Sequence, residues 1–238
     1  MKLNLVLLVS ALGVAGAANA ATLSYYSFNN STAGTGGNLG TLNSTDPDVK
    51  DASVTSTSLT STFAAANFGT FSGTVVNRLD STYGSGGSLA LQNGVNGANN
   101  GKYVQFGIGS TTSKFSKLVL SFASQRTSTG FNSNQLSYST DGVSFVDFGS
   151  AYSPASSFAS AGPNVVQTFD LSSVSALNGA SNVYLRLTFS GAVLTSSSGN
   201  NRIDNLIIAG DVQAVPEPAS MVALGLGAAA MIRRRRRA

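Results

Sequence analysis

Apolar residues that return at every second position, in one short segment after another, restrict this chain to sheet. In "NVYLRLTFS", residues 182–190, Val183, Leu185, Leu187 and Phe189 fall on one side and Tyr184, Arg186 and Thr188 on the other. That is the pattern of an antiparallel strand with one buried and one wet face. In "SKLVLSFAS", residues 116–124, Leu118, Leu120 and Phe122 alternate with Lys117, Val119 and Ser121. Eight further segments read as strands of ordinary length: 23–28, 74–78, 88–92, 102–108, 135–140, 143–148, 165–171 and 202–210. Gly, Asn and Ser clusters separate them, and Asp141-Gly142 reads as a two-residue type I′ hairpin turn. Only "DLSSVSALNG", 170–179, reads as a short helix, with Asp170 as N-cap and Gly179 as the C′ residue. Residues 31–71 are a polar surface excursion whose alternating Ser/Thr part suits an edge strand. The expected fold is all-β, an antiparallel two-sheet β-sandwich of the jelly-roll type, over residues 21–212.

Composition excludes several chemistries. The chain has no Cys and no His. Disulfide frameworks, thiolate nucleophiles, Ser-His-Asp systems and His-ligated zinc are therefore all unavailable. A glycosidase needs two carboxylates, and both would have to come from aspartates, because the single glutamate is Glu217 near the C-terminus. No spacing in the sequence brings two of them together as an acid and a base, so the expectation is a protein that is not an enzyme. A hydrolase using two aspartates is the least favoured reading. The net charge of +4 misleads as well. Lys2 and the arginines at 233–237 supply six of the fourteen positive charges, leaving eight against ten acidic residues in the rest of the chain. With no basic face on the body, nucleic acid is not an expected partner.

Three stretches of the body invite a functional reading. "DPDVKD" places Asp46, Asp48 and Asp51 near one another, but Lys50 and the missing glycine and distal glutamate break the EF-hand pattern. A looser structural calcium site completed by backbone carbonyls stands against a solvated loop there, and no other cofactor is expected. "NGVNGANNGK", 93–102, lacks the Lys-Ser/Thr ending of a phosphate loop and reads as a turn. "SQRTSTGFNSNQ", 124–135, offers Arg126, Phe131 and Asn134 in a connection, with Tyr138 on the next strand, as candidate contacts for a glycan. The competing reading is a set of loop residues that cover one end of the sandwich.

The two ends carry addresses. "MKLNLVLLVSALGVAGAANA" has a positive start, an apolar stretch and the small pair Ala18 and Ala20, the pattern of a secretory signal peptide cleaved before Ala21. At the other end, Pro216-Glu217-Pro218 precedes a twelve-residue apolar run, 221–232, and then Arg233, Arg234, Arg235, Arg236 and Arg237. As a helix the run would rise roughly 18 Å, short of the ~30 Å hydrocarbon thickness, so arginine stems must snorkel for it to serve as a transmembrane anchor. The arginine block places that flank in the cytoplasm and the body outside.

The segment 213–238 resembles the PEP-CTERM sorting signal of bacterial exported proteins: tripeptide, short apolar helix and arginine cluster, in that order. The resemblance implies processing by an exosortase at or near the tripeptide, and delivery to the cell surface or an extracellular matrix. Residues 74–210, notably "LVLSFASQRTSTGFNSNQLSYSTDGVSFVDFG" and "NNRIDNLIIAG", are similar to a β-sandwich that recurs in such proteins and to galactose-binding-like jelly rolls. That resemblance implies a fold and brings no catalytic motif. The functional expectation is an exported, non-enzymatic cell-surface or matrix protein, with a carbohydrate-binding module of the envelope or exopolysaccharide as the alternative. Its expected processing enzymes are an exosortase and a signal peptidase.

Overall fold

The alternation of 182–190 becomes burial: Val183, Leu185, Leu187 and Phe189 are all sealed, while the residues between them stay partly open. The computed structural model describes residues 20–35, 38–159 and 164–214. Within them lie β1 (Ala21–Tyr26), β2 (Ser31–Thr32), β3 (Thr41–Leu42), β4 (Val49–Lys50), β5 (Ser56–Ser61), β6 (Phe68–Ser72) and β7 (Gly87–Gln92). There follow β8 (Lys102–Gly109), β9 (Ser113–Arg126), β10 (Ser133–Ser139), β11 (Val146–Tyr152), β12 (Val166–Asp170), β13 (Asn182–Ser190) and β14 (Asn200–Ala214). Every ladder between these strands is antiparallel.

Two sheets face each other. The first runs β12-β9-β14, and β14 is long enough to carry two neighbours on its far side: β7 against Asn200 to Ile203 and β1 against Leu206 to Gly210. The second runs β11-β10-β13-β8-β5. From β7 to β14 the chain visits the sheets in the order first, second, first, second, second, first, second, first. The resulting strand orders, β7-β14-β9-β12 and β8-β13-β10-β11, are those of a jelly roll. The excursion before β7 adds β1, β4 and β6 to the first sheet and β5, the expected Ser/Thr edge strand, to the second.

The inner faces interdigitate to make one core, including Leu118, Leu120 and Phe122 of β9, Phe106 and Ile108 of β8, and Ile203, Leu206 and Ile208 of β14. Each fully buried Leu, Ile or Phe contributes about 1.5–3 kcal/mol. Phe63, Phe131 and Phe189 close one region with edge-on and tilted ring contacts at 5.6–5.9 Å.

Three local expectations are corrected. Residues 74–78 form no strand; they are a loop whose carbonyls at Thr74 and Val76 accept from the Asn205 side chain. The β10–β11 connection is no two-residue hairpin. It spans 140–145, with φ positive at Gly142 but not at Asp141, and the Asp141 carboxylate accepts from the N–H groups of Val143 and Ser144. Residues 170–179 wind as successive turns in place of a helix, with N–H to O bonds from Val174 to Leu171, Leu177 to Val174 and Ala180 to Leu177. Asp170 closes a turn onto Ser172 N rather than capping a helix, while Gly179 does take the left-handed conformation expected of it, at φ 88°. The signal segment expected over 1–20, save Ala20, the anchor helix expected over 221–232 and the arginine block 233–237 lie outside the described residues. Among the described residues no helix is long and apolar enough to cross a membrane.

Candidate functional site

The outer face of the second sheet gathers side chains with recognition chemistry. Register sets them in rows across β5, β8 and β13: Ser56, Gly109 and Asn182; then Ser58, Gly107 and Tyr184; then Thr60, Gln105 and Arg186. The two glycines take the places where β8 would project side chains outward. A Cβ on Gly107 would lie 2.4 Å from Ser58 Oγ and 3.0 Å from the Tyr184 ring, and one on Gly109 would lie 2.5 Å from Ser56 Oγ. The result is a trough of about 240 Å³, floored by backbone and walled by Ser56, Ser58, Asn182 and Tyr184.

Beside the trough, Arg186 is held on three sides. Its guanidinium carbon lies 3.9 Å from the Tyr103 ring centre and 3.4 Å from that of Phe145, so the cation is stacked between two aromatic faces. Nε and Nη2 both donate to Gln105 Oε1, at 3.2 and 2.9 Å. The face thus presents an aromatic ring, an amide, hydroxyls and a positioned cation. Such a set can stack on a ring and exchange hydrogen bonds with a polyhydroxylated ligand.

It holds no acid and base pair. The aspartate pushed upward is Asp204, to about 8, because burial penalises its charge more than the N–H groups of Thr74 and Asn205 stabilise it. That carboxyl is sealed from solvent and cannot touch a substrate. Asp141, Asp170, Asp80 and Asp51 lie below the usual carboxylate range because nearby hydroxyls and backbone N–H groups donate to them. Asp211 pairs with Lys117 at 2.8 Å.

The glycan contacts expected from sequence do not converge. Phe131 is completely buried in the aromatic cluster, and Asn134 is equally sealed, accepting from Asn201 Nδ2 at 3.4 Å. The physical reason lies seventy residues downstream: the Asn201 side chain accepts from Phe131 N and donates to Phe131 O, drawing the connection inward. Tyr138 packs partly against the core. Arg126 is spent locally, on Ser153 Oγ and the carbonyls of Thr127 and Ser128. Asp46, Asp48 and Asp51 do not meet as a trio, because the Asp51 carboxylate turns onto Ser53 N and Oγ. Among the described residues no three acidic groups gather as metal ligands. Sequence reasoning missed the sheet face, although its signal was present in Tyr184 and Arg186 on the wet side of an otherwise apolar alternation.

On the opposite sheet, β14 ends at Ala214, and the chain continues at once into Val215, Pro216, Glu217 and Pro218. Residues 214–237 match the PEP-CTERM protein-sorting motif. The PEP-CTERM segment begins, then, where the last strand of the sandwich finishes. No curated protein sequence matches the chain. Solved structures similar to it include TmCBM61 in complex with beta-1,4-galactotriose, at 6% identity over 65% of this chain and 88% of that one, with a TM-score of 0.37. The xylan-binding module CBM15 is similar at 14% identity, 65% and 97% coverage and a TM-score of 0.36. Xylanase 10C from Cellvibrio japonicus in complex with xylopentaose is similar at 12% identity, 68% and 28% coverage and a TM-score of 0.39.

Proposed function

We propose that this chain is an exported, non-enzymatic surface protein, handed by its PEP-CTERM segment to an exosortase and delivered to the cell envelope or its extracellular matrix. The observation that carries this reading is the motif match at residues 214–237, set directly after the final strand of a jelly roll. In this reading a signal peptidase removes residues 1–20, the apolar run 221–232 inserts in the membrane, and the arginines halt translocation. Cell fractionation with an antibody against the body tests it. Wild type yields a shortened form; Glu217→Ala yields full-length protein in the membrane; and serine at Arg233 to Arg237 releases full-length protein into the medium. Two variants that behave like wild type would overturn the sorting role.

A second reading concerns the body, and the trough beside Tyr184 favours it: a module that binds extracellular polysaccharide along the outer face of the second sheet. A glycan array separates the two readings. Binding that is saturable and falls about tenfold in Tyr184→Ala, the loss of one stacked ring, supports the module. No sugar-specific signal leaves the surface protein without it.

A further inference from the structure

A cavity of about 110 Å³ opens at the end of β1, lined by Tyr26, Phe28, Asn30, Ser44, Asp46, Pro47 and Asp48. Its roof is the connection 43–48, which is strapped at both ends to the β1 segment: Asn43 N donates to Asn30 O at 3.1 Å and Asp48 N to Tyr25 O at 2.8 Å. At its floor is Tyr26, only 2% exposed, whose ring is fixed edge-on against Phe106 at 5.4 Å and stacked on Phe28 at 6.0 Å. The Tyr26 hydroxyl is buried and has no hydrogen-bond partner among the described residues. A sealed polar group without a partner costs about 1–3 kcal/mol, so one that lines a polar cavity marks a place where something else supplies the partner.

The charge at the rim indicates what that is. Asp48 Oδ2 accepts from Ser27 N at 2.6 Å and Ser44 Oγ from Asp46 N at 3.0 Å, whereas among the described residues no donor reaches Asp48 Oδ1 or either carboxylate oxygen of Asp46. Lys50, the nearest cation in sequence, is committed to Val54 O at 2.7 Å, and the ion pair found among the described residues, Lys117 with Asp211, lies elsewhere. Two exposed carboxylates therefore border the cavity, and among the described residues neither makes an ion pair, beside the neutral oxygens of Asn30, Ser44 and Tyr26. Six oxygens from carboxylate, amide and hydroxyl groups suit a hard cation with flexible coordination. Calcium accepts six to eight such ligands in irregular geometry, while magnesium demands a near-ideal octahedron.

We propose that the cavity beneath the 43–48 connection is a calcium site, with Asp46, Asp48, Asn30, Ser44 and Tyr26 as its oxygen donors. The site belongs to the excursion that precedes the eight jelly-roll strands, and it does not depend on the sorting role. Two carboxylates place its affinity in the weak class of extracellular modules, with half-saturation at roughly 0.1–1 mM. Occupation would tie β1 and the 43–48 connection into one rigid edge.

The purified full-length chain in detergent, stripped with a chelator and titrated with calcium chloride alone, tests the proposal by its thermal midpoint. The midpoint should rise and saturate in the millimolar range, and the same concentrations of magnesium chloride should raise it by less than a third as much. Asp46→Asn is the clean variant, because that carboxylate makes no bond among the described residues, and it should weaken the calcium response at least tenfold without lowering the calcium-free midpoint. Tyr26→Phe, which removes only the oxygen, should weaken the response about threefold. A chain whose midpoint ignores calcium up to 10 mM, responds equally to both cations, or responds undiminished in Asp46→Asn overturns the site.

Discussion

Asp204 is a carboxylate closed off from water, with two backbone N–H groups for partners and no cation among them. Burial lifts its folded-state pKa to about 8, above the value near 4 expected of an unfolded aspartate. Between those values the folded chain holds a proton that the unfolded chain releases, so its contribution is greatest at low pH and is lost as pH climbs through 8. Chemical denaturation at pH 5, 7 and 9 should show stability falling by at most about 1.4 kcal/mol per pH unit from this group. Asp204→Asn should be flat across the same window, though less stable at pH 5, because an amide can satisfy just one of the two donors. A wild-type profile that rises from pH 5 to pH 9 would refute the account. The sequence displays this residue only as an aspartate inside an apolar strand. Its sealed state depends on Thr74, 130 positions away, and such distances have no trace in local pattern. The same holds for Phe131, which looked like loop and became core because Asn201 binds its backbone. By contrast Tyr184 and Arg186 were readable, since alternation assigns a face to every residue of a strand.

At the scale of elements, strands were legible wherever their own side chains decided the matter, as in β9 and β13. Residues 74–78 failed because β-branched content says nothing about where the backbone bonds go, and here they go to side chains: Asn205 donates to the Thr74 and Val76 carbonyls, Asp204 accepts from Thr74 N and Thr74 Oγ1 from Val76 N. Asn205, at a positive φ of 49° beside an irregularity in β14, donates to Thr74 O and Val76 O and accepts from Tyr25 Oη at 2.6 Å. Asn205→Ala should therefore cost about 2–4 kcal/mol in denaturant unfolding and expose the β6–β7 connection, 73–86, to proteolysis. An uncut connection at wild-type stability would show that packing alone holds it. The turns at 170–179 failed for a related reason. Asp170 can close a tight turn onto Ser172 as readily as it can cap a helix, and the serines that follow give a helix little to propagate with. Leu171 and Leu177 are both buried, six positions apart, which successive turns permit.

Over the whole molecule, β14 organises the first sheet: β9 runs along one side for nearly its full length, and β7 and β1 share the other. A chain ended after Ala214 keeps that strand entire and should melt cooperatively with an unchanged midpoint, whereas one ended after Gly199 loses it and should not fold. Calorimetry on both distinguishes them, and a collapsed midpoint in the longer one would mean that the PEP-CTERM segment takes part in the fold. The jelly-roll architecture was readable from the number and spacing of strands and the lack of any cysteine. The division of strands between sheets was not, since it rests on register between segments far apart in the sequence.

The same strand decides how the body answers to drag. If the proposed attachment holds, with the C-terminus fixed and the outer face gripping a matrix, the load enters through β14 and runs along the strand. The ladders to β9, β1 and β7 lie across that direction, so they strain together in shear and must give way as a group. Ala21, paired with Gly210, sits at the end of β14 from which the chain departs. A pull applied there would also run along its strand, but it would load only the ladders of β1 to β14 and to the two-residue β4. Attachment through the C-terminus would therefore load this sandwich through its most widely braced strand, and attachment through the N-terminus through a less braced one.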